Sequence, residues 1–110
     1  MSTLERELKA ELLAIYDKCS TIGYRPTYFR RMLVSTNPRF NKGPIETVRY
    51  LMIGPVWPGS GFDRLVKAGK VEWTVEWLIA KDQRWAPLFQ GSEWVIRNAA
   101  DRIQAAERSN

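Results

Sequence analysis

The chain has 110 residues, of which 45% are hydrophobic and 26% charged, and carries a formal net charge of +5. These figures fit a single globular domain over residues 1–110, with an expected core over about 3–106 and a short frayed tail. They exclude a membrane-spanning segment, since no apolar run approaches the roughly 18 residues required. One cysteine excludes an internal disulfide, and the absence of histidine removes the usual general base, the Ser-His-Asp triad and most transition-metal sites.

The N-terminus MSTLERELKAELL interleaves acids with leucines from the start, unlike a signal or transit peptide, so the expected location is cytoplasmic. Ser2-x-x-Glu5 is a capping box. Leu4, Leu8, Leu12, Ile15, Cys19 and Ile22 follow every three or four residues, which predicts one apolar stripe on a first helix stopped by Gly23. Cys19 falls on that stripe and reads as a small core residue.

The stretch GYRPTYFRRM raises the functional question, with three arginines among aromatic side chains. Pro26 suits the first turn of a second helix. At 100° per residue, Phe29, Met32 and Leu33 share its inner face with Tyr28 at the edge, while Arg30 and Arg31 fall opposite. The linear interleaving therefore does not itself make a base-stacking platform. Pro44 opens a third helix with Ile45, Val48, Leu51 and Met52 inward, and Glu46 with Arg49 makes a surface pair.

In GPVWPGSG, Trp57 stands between two prolines, and the loop lacks the Walker lysine and the Gly-x-Gly-x-x-Gly spacing of a phosphate cradle. Ser60 caps a short fourth helix with Phe62, Leu65 and Val66 inward, ended by Gly69. KVEWTVEWLIAK alternates at Val71, Trp73 and Val75 as a strand would. The longer period through Val71, Val75, Leu78 and Ile79 favours a helix, which would place Trp73 and Trp77 one turn apart on a second apolar face. RWAPLF reads as a turn that inserts Trp85, Leu88 and Phe89 into the core. A last helix, capped by Ser92, turns Val95, Ile96, Ala99, Ile103 and Ala106 inward. The expected fold is all-α, about six helices, with no sheet.

The charge is unevenly spread. Residues 23–49 hold Arg25, Arg30, Arg31, Arg39, Lys42 and Arg49 against Glu46 alone, whereas the flanking segments nearly balance. Such asymmetry points to a polyanionic partner, and the planar fork of arginine suits phosphate. The outer face of the second helix lacks the Asn, Gln or Ser mix of a base-reading helix, so contact with the nucleic-acid backbone is the expectation. The rival is a protein–protein adaptor or phage-encoded inhibitor that binds an acidic protein surface, for which Trp57, Trp73 and Trp77 are the candidate partner-binding residues. Glu72, Glu76, Asp63 and Lys70 are the residue types of a two-metal nuclease, but acids one turn apart are ordinary on solvated helices. No metal, cofactor or catalytic residue is expected, and the reading is non-enzymatic.

Glu46-Thr47-x-Arg49-x-Leu51, Ser60-Gly61-Phe62-x-Arg64-Leu65-x-x-x-Gly69, Thr74-Val75-Glu76, Pro87-Leu88-Phe89 and the GY-x-PT-x-F of Gly23 to Phe29 resemble the pattern of a family of small, largely uncharacterised bacterial all-helical proteins. The resemblance spans about residues 12–105. Three departures stand out: Lys70 where the pattern has arginine, Trp77 where it has a small residue, and an enlarged stretch from Arg39 to Lys42. The resemblance implies an autonomous helical domain and, as a lead, a small component of a bacterial defence or nuclease assembly.

Overall fold

The computed structural model describes residues 2–54 and 60–108, with the Ser60 side chain left aside. Trp57 and the Ser60 cap therefore lie outside the described residues. Six α-helices and two 3-10 helices account for the regular structure among the described residues, with no strand. The all-α expectation is met. The chain gathers into two compact units, Met1–Leu51 and Met52–Asn110, and each is described by itself.

The first unit opens with α1, Thr3–Ser20. Its capping box is present: Ser2 Oγ accepts from the Glu5 N–H at 3.1 Å, and Glu5 Oε1 accepts from the Ser2 N–H at 3.4 Å. Leu8, Leu12, Ile15 and Cys19 are buried along the expected stripe. Burial raises the Cys19 thiol above its ordinary pKa, as suits a core residue. The stripe ends sooner than its spacing suggests, because Ile22 lies in the turn after the helix and is exposed. That turn is a Schellman closure. Gly23 at φ +78° donates to the Ser20 carbonyl at 3.1 Å, and Tyr24 donates to the Cys19 carbonyl at 3.0 Å.

The second helix, α2, is Thr27–Val34, with Pro26 just outside it as the N-cap. Phe29, Met32 and Leu33 are buried, and Arg30 and Arg31 are exposed, as the helical phase requires. The connector to α3, Gly43–Met52, is tied down by short side chains. Asn37 Oδ1 accepts from the Arg39 N–H at 3.0 Å, Asn41 Nδ2 donates to the Ser35 carbonyl at 2.9 Å, and Asn41 Oδ1 accepts from the Gly43 N–H at 3.0 Å. The Lys42 N–H takes up the Met32 carbonyl at 2.8 Å, satisfying one of the open acceptors at the end of α2. In α3 the buried residues are Pro44, Thr47 and Val48 in this unit, with Ile45 and Leu51 only half-buried. Thr47 sits inside because its hydroxyl donates to the Gly43 carbonyl at 2.6 Å and leaves no unmet donor.

In the second unit, α4 (Ser60–Lys67) closes with the same device as α1: Gly69 donates to Val66 and Lys70 to Leu65. A 3-10 helix, Val71–Trp73, then precedes α5, Val75–Lys81. A second 3-10 helix, Gln83–Phe89, replaces the expected turn and buries Trp85 and Phe89, with Leu88 half-buried. It starts where Asp82 Oδ1 accepts from the Arg84 N–H at 3.0 Å. The last helix, α6 (Trp94–Arg108), packs chiefly on α5 and buries Val95, Ala99, Ile103 and Ala106. No helix among the described residues is long and apolar enough to cross a membrane.

Leu12 is fully buried at mid-stripe, and Phe29 is the aromatic anchor of α2. Leu12→Ala or Phe29→Ala is expected to cost about 2–5 kcal/mol in urea or thermal unfolding. A loss below about 0.5 kcal/mol would show that these faces are not packed as described.

Candidate functional site

The six cations singled out by the charge distribution all lie in the first unit, on α2, α3 and the segments that flank α2. Arg25, Arg30, Arg31, Arg39 and Lys42 are exposed, and Arg49 is half-buried. The aromatic residues that neighbour them are not the ones that form the core. The Arg31 guanidinium lies 4.2 Å from the centre of the Phe40 ring, and that of Arg30 lies 5.7 Å from the Tyr16 ring on α1. Lys42 Nζ is 5.9 Å from the Tyr50 ring. A ring face attracts a cation through its quadrupole and narrows the rotamers of the long side chain, while the charge stays open to solvent.

The structure thus brings Arg31, Arg39 and Lys42 to the end of α2 and the hydrogen-bonded loop beyond it. It turns Arg30 towards α1 instead, and leaves Arg25 in the connector before α2. Arg49 is partly committed elsewhere, since its Nη1 reaches Glu46 Oε1 at 2.7 Å in the i, i+3 pair that the sequence predicts. This is the one carboxylate within residues 23–49, so the pair weakens both the acid's repulsion and the arginine's reach toward a polyanion.

Two residues of this surface carried no weight in the sequence. Tyr28 on α2 and Tyr50 on α3 are 50% and 49% exposed, with ring centres 6.0 Å apart and planes tilted by 49°. Helical phase places Tyr28 at the edge of its apolar face, but the pairing with Tyr50 depends on how α2 and α3 pack.

The tryptophans stand differently from expectation. Trp73 and Trp77 do not share the face of one helix, because Thr74 breaks the segment with extended backbone at ψ 155°. Its hydroxyl accepts from the Trp77 N–H at 3.0 Å and donates to the Val71 carbonyl at 2.7 Å, so it caps α5 and closes the 3-10 turn at once. Trp77 packs beside Phe62, Ile103 and Ala106. Both indoles are half-buried, with Lys70 Nζ 4.7 Å from the Trp73 ring and Lys81 Nζ 5.0 Å from that of Trp77.

The same break separates Glu72 from Glu76. Glu72 is exposed on the 3-10 turn, Asp63 pairs with Lys67 at 2.9 Å, and Glu76 is only 6% exposed. These residues do not assemble as a metal site, and no group of three His, Cys, Asp or Glu side chains suited to a metal occurs among the described residues. Glu76 faces Arg102, which is 1% exposed and donates from Nη1 to Glu76 Oε2 at 3.0 Å. Arg102 also approaches Met52 Sδ at 3.7 Å and donates to the Ile53 carbonyl at 3.2 Å. Its position was readable: Ala99, Arg102, Ile103 and Ala106 follow the spacing of the inner stripe of α6. Burial raises the Glu76 carboxyl above the ordinary carboxylate range, while its backbone hydrogen bond and the Arg102 charge pull it back.

The chain matches no family model, and no curated protein or solved structure shows significant similarity to it. The two charged features divide by burial: the Glu76–Arg102 pair is sealed in the second unit, and the cations of residues 23–49 face solvent.

Arg102→Leu tests the buried pair. It leaves the Glu76 carboxylate without its counter-charge and is expected to cost about 3–5 kcal/mol at neutral pH. A raised carboxyl pKa means that the folded protein holds a proton that the unfolded chain releases. The variant's stability therefore falls as pH rises from the ordinary carboxylate range through the raised folded-state pKa. Urea unfolding should show the smaller loss on the acid side. An equal loss at both ends would contradict the assignment.

Proposed function

We propose that this protein is a non-enzymatic binding module that contacts nucleic-acid backbone through the arginine-rich surface of residues 23–49. The observation that carries the reading is the exposure of Arg25, Arg30, Arg31, Arg39 and Lys42 in a segment whose single carboxylate is already bonded to Arg49. A polyanion gains from each such charge by releasing its own counterions, and arginine presents two parallel donors to a phosphate. The cations are spread over α2 and a loop rather than along one groove-reading helix face, which favours contact with phosphates over reading of base edges. The resemblance to bacterial helical proteins adds the proposal of a small component in a defence or nuclease assembly. The alternative is an adaptor or phage-encoded inhibitor that uses the same charges on an acidic protein surface. The tryptophans favour it less than their number suggests, since Trp73 and Trp77 are half-buried on separate short elements.

Fluorescence anisotropy with short single- and double-stranded oligonucleotides, between about 50 and 200 mM salt, tests the proposal. The expected result is binding that weakens steeply with salt. Arg30→Ala with Arg31→Ala should leave helicity intact, because both side chains are exposed, and should lower the logarithmic salt slope by about 0.7–0.9 per lost phosphate contact. No binding at the lowest salt would move the adaptor reading to first place, and an unchanged slope would remove these two arginines from the interface.

A further inference from the structure

The exposed Tyr28–Tyr50 pair is the feature of this surface that backbone contact leaves unused. Two aromatic rings, each about half exposed, sit side by side on two helices. Adjacent exposed aromatics on a polar surface mark a contact site more often than isolated ones do. Their surroundings select the kind of partner. Lys42 Nζ lies 5.9 Å from the Tyr50 ring, and the Lys42 backbone is fixed to the end of α2 by its bond to the Met32 carbonyl. Arg31, one turn along α2 from Tyr28, is drawn over Phe40. Glu46, one turn before Tyr50, is bonded to Arg49.

We propose that Tyr28 and Tyr50 form a stacking platform for the bases of a single-stranded nucleic acid, with Lys42 and Arg31 on its neighbouring phosphates. The inference rests on the nucleic-acid reading above and narrows its substrate class. A base inside a duplex has its faces covered by its neighbours, so only a single strand, loop or frayed end can lay a base on a tyrosine. Every base has a π-face, so the contact tolerates any sequence, in keeping with a surface that lacks base-reading side chains. The tilt of 49° gives the rings different directions, which suits two bases splayed from one another better than a continuous stack.

The probe is a thymidine oligonucleotide compared with an abasic phosphodiester oligomer of the same length, which keeps the charge and removes the bases. The intact protein should bind the thymidine strand about tenfold or more tightly than the abasic one, from the usual strength of base–aromatic stacking. Tyr28→Leu with Tyr50→Leu should abolish that preference, lowering abasic binding only by the smaller effect of freeing Lys42 from the Tyr50 ring, and Tyr28→Phe with Tyr50→Phe should retain it. Ultraviolet cross-linking of an iodouracil-substituted strand to the unaltered protein should attach at Tyr28 or Tyr50, a readout independent of how well the leucine variant folds. Equal binding of the two strands by the intact protein, a preference that survives the leucine changes, or cross-links confined to other residues would overturn the platform while leaving backbone contact by the arginines in place. Failure to bind either strand at low salt would overturn both.

Discussion

A guanidinium inside an apolar helix face must be answered by its neighbours, and the second unit is arranged around the answer given to Arg102. The residue stands on the inner stripe of α6 between Ala99 and Ile103, so its side chain has no route to water. Glu76, the Ile53 carbonyl and the Met52 sulfur meet it. Asn98, one turn earlier, donates to the Met52 carbonyl at 3.0 Å. For Glu76 to face α6, α5 must be rotated so that Val75 and Ile79 go inward beside it, which leaves Trp77 on the flank against Phe62, Ile103 and Ala106. The position of Trp77 goes with that rotation, whereas that of Trp73 follows from the break at Thr74. Because removing two charges from water is costly, such a pair adds less to stability than its short distance suggests. Its effect is to fix which way two helices face.

The cations of residues 23–49 are not buried in this way. Arg30, Arg31 and Lys42 remain at the surface but lie against Tyr16, Phe40 and Tyr50. Each exposed contact of this kind is worth about 0.5–1 kcal/mol, enough to bias a flexible side chain without removing its charge from solvent. Cations already ordered lose less freedom when a phosphate arrives. The asparagines that tie the loop between α2 and α3 act on the backbone to the same end, holding Arg39 and Lys42 at fixed origins. This is the physical basis for the proposed role of residues 23–49.

Most of the helices were legible because local signals agree with the packed structure. In α1 the capping box, the leucine stripe and Gly23 all point to one element. Around Thr74 they conflict. The apolar period continues through Val71, Val75 and Ile79, and it conceals that Thr74 is also a good N-cap, whose hydroxyl ends one turn and starts another. Arg102 lies on the stripe by spacing, but its charge argues for the outer face, so the sequence signals conflict there. Of the candidate site, the exposure of the arginines on α2 follows from helical phase alone. The Arg31–Phe40, Lys42–Tyr50 and Tyr28–Tyr50 contacts do not, since each depends on how a helix meets a loop or a second helix.

On this proposal residues 23–51 carry a nucleic-acid surface, while the buried Glu76–Arg102 pair of the second unit has only a structural role. Amide NMR spectra recorded while a short single-stranded oligonucleotide is titrated into the full chain test this most directly. The account predicts shifts concentrated in residues 23–51, largest around Tyr28, Arg31, Lys42 and Tyr50, with the amides of Glu76 and Arg102 unmoved. Shifts centred on the second unit, or a spectrum unchanged at low salt, would contradict it.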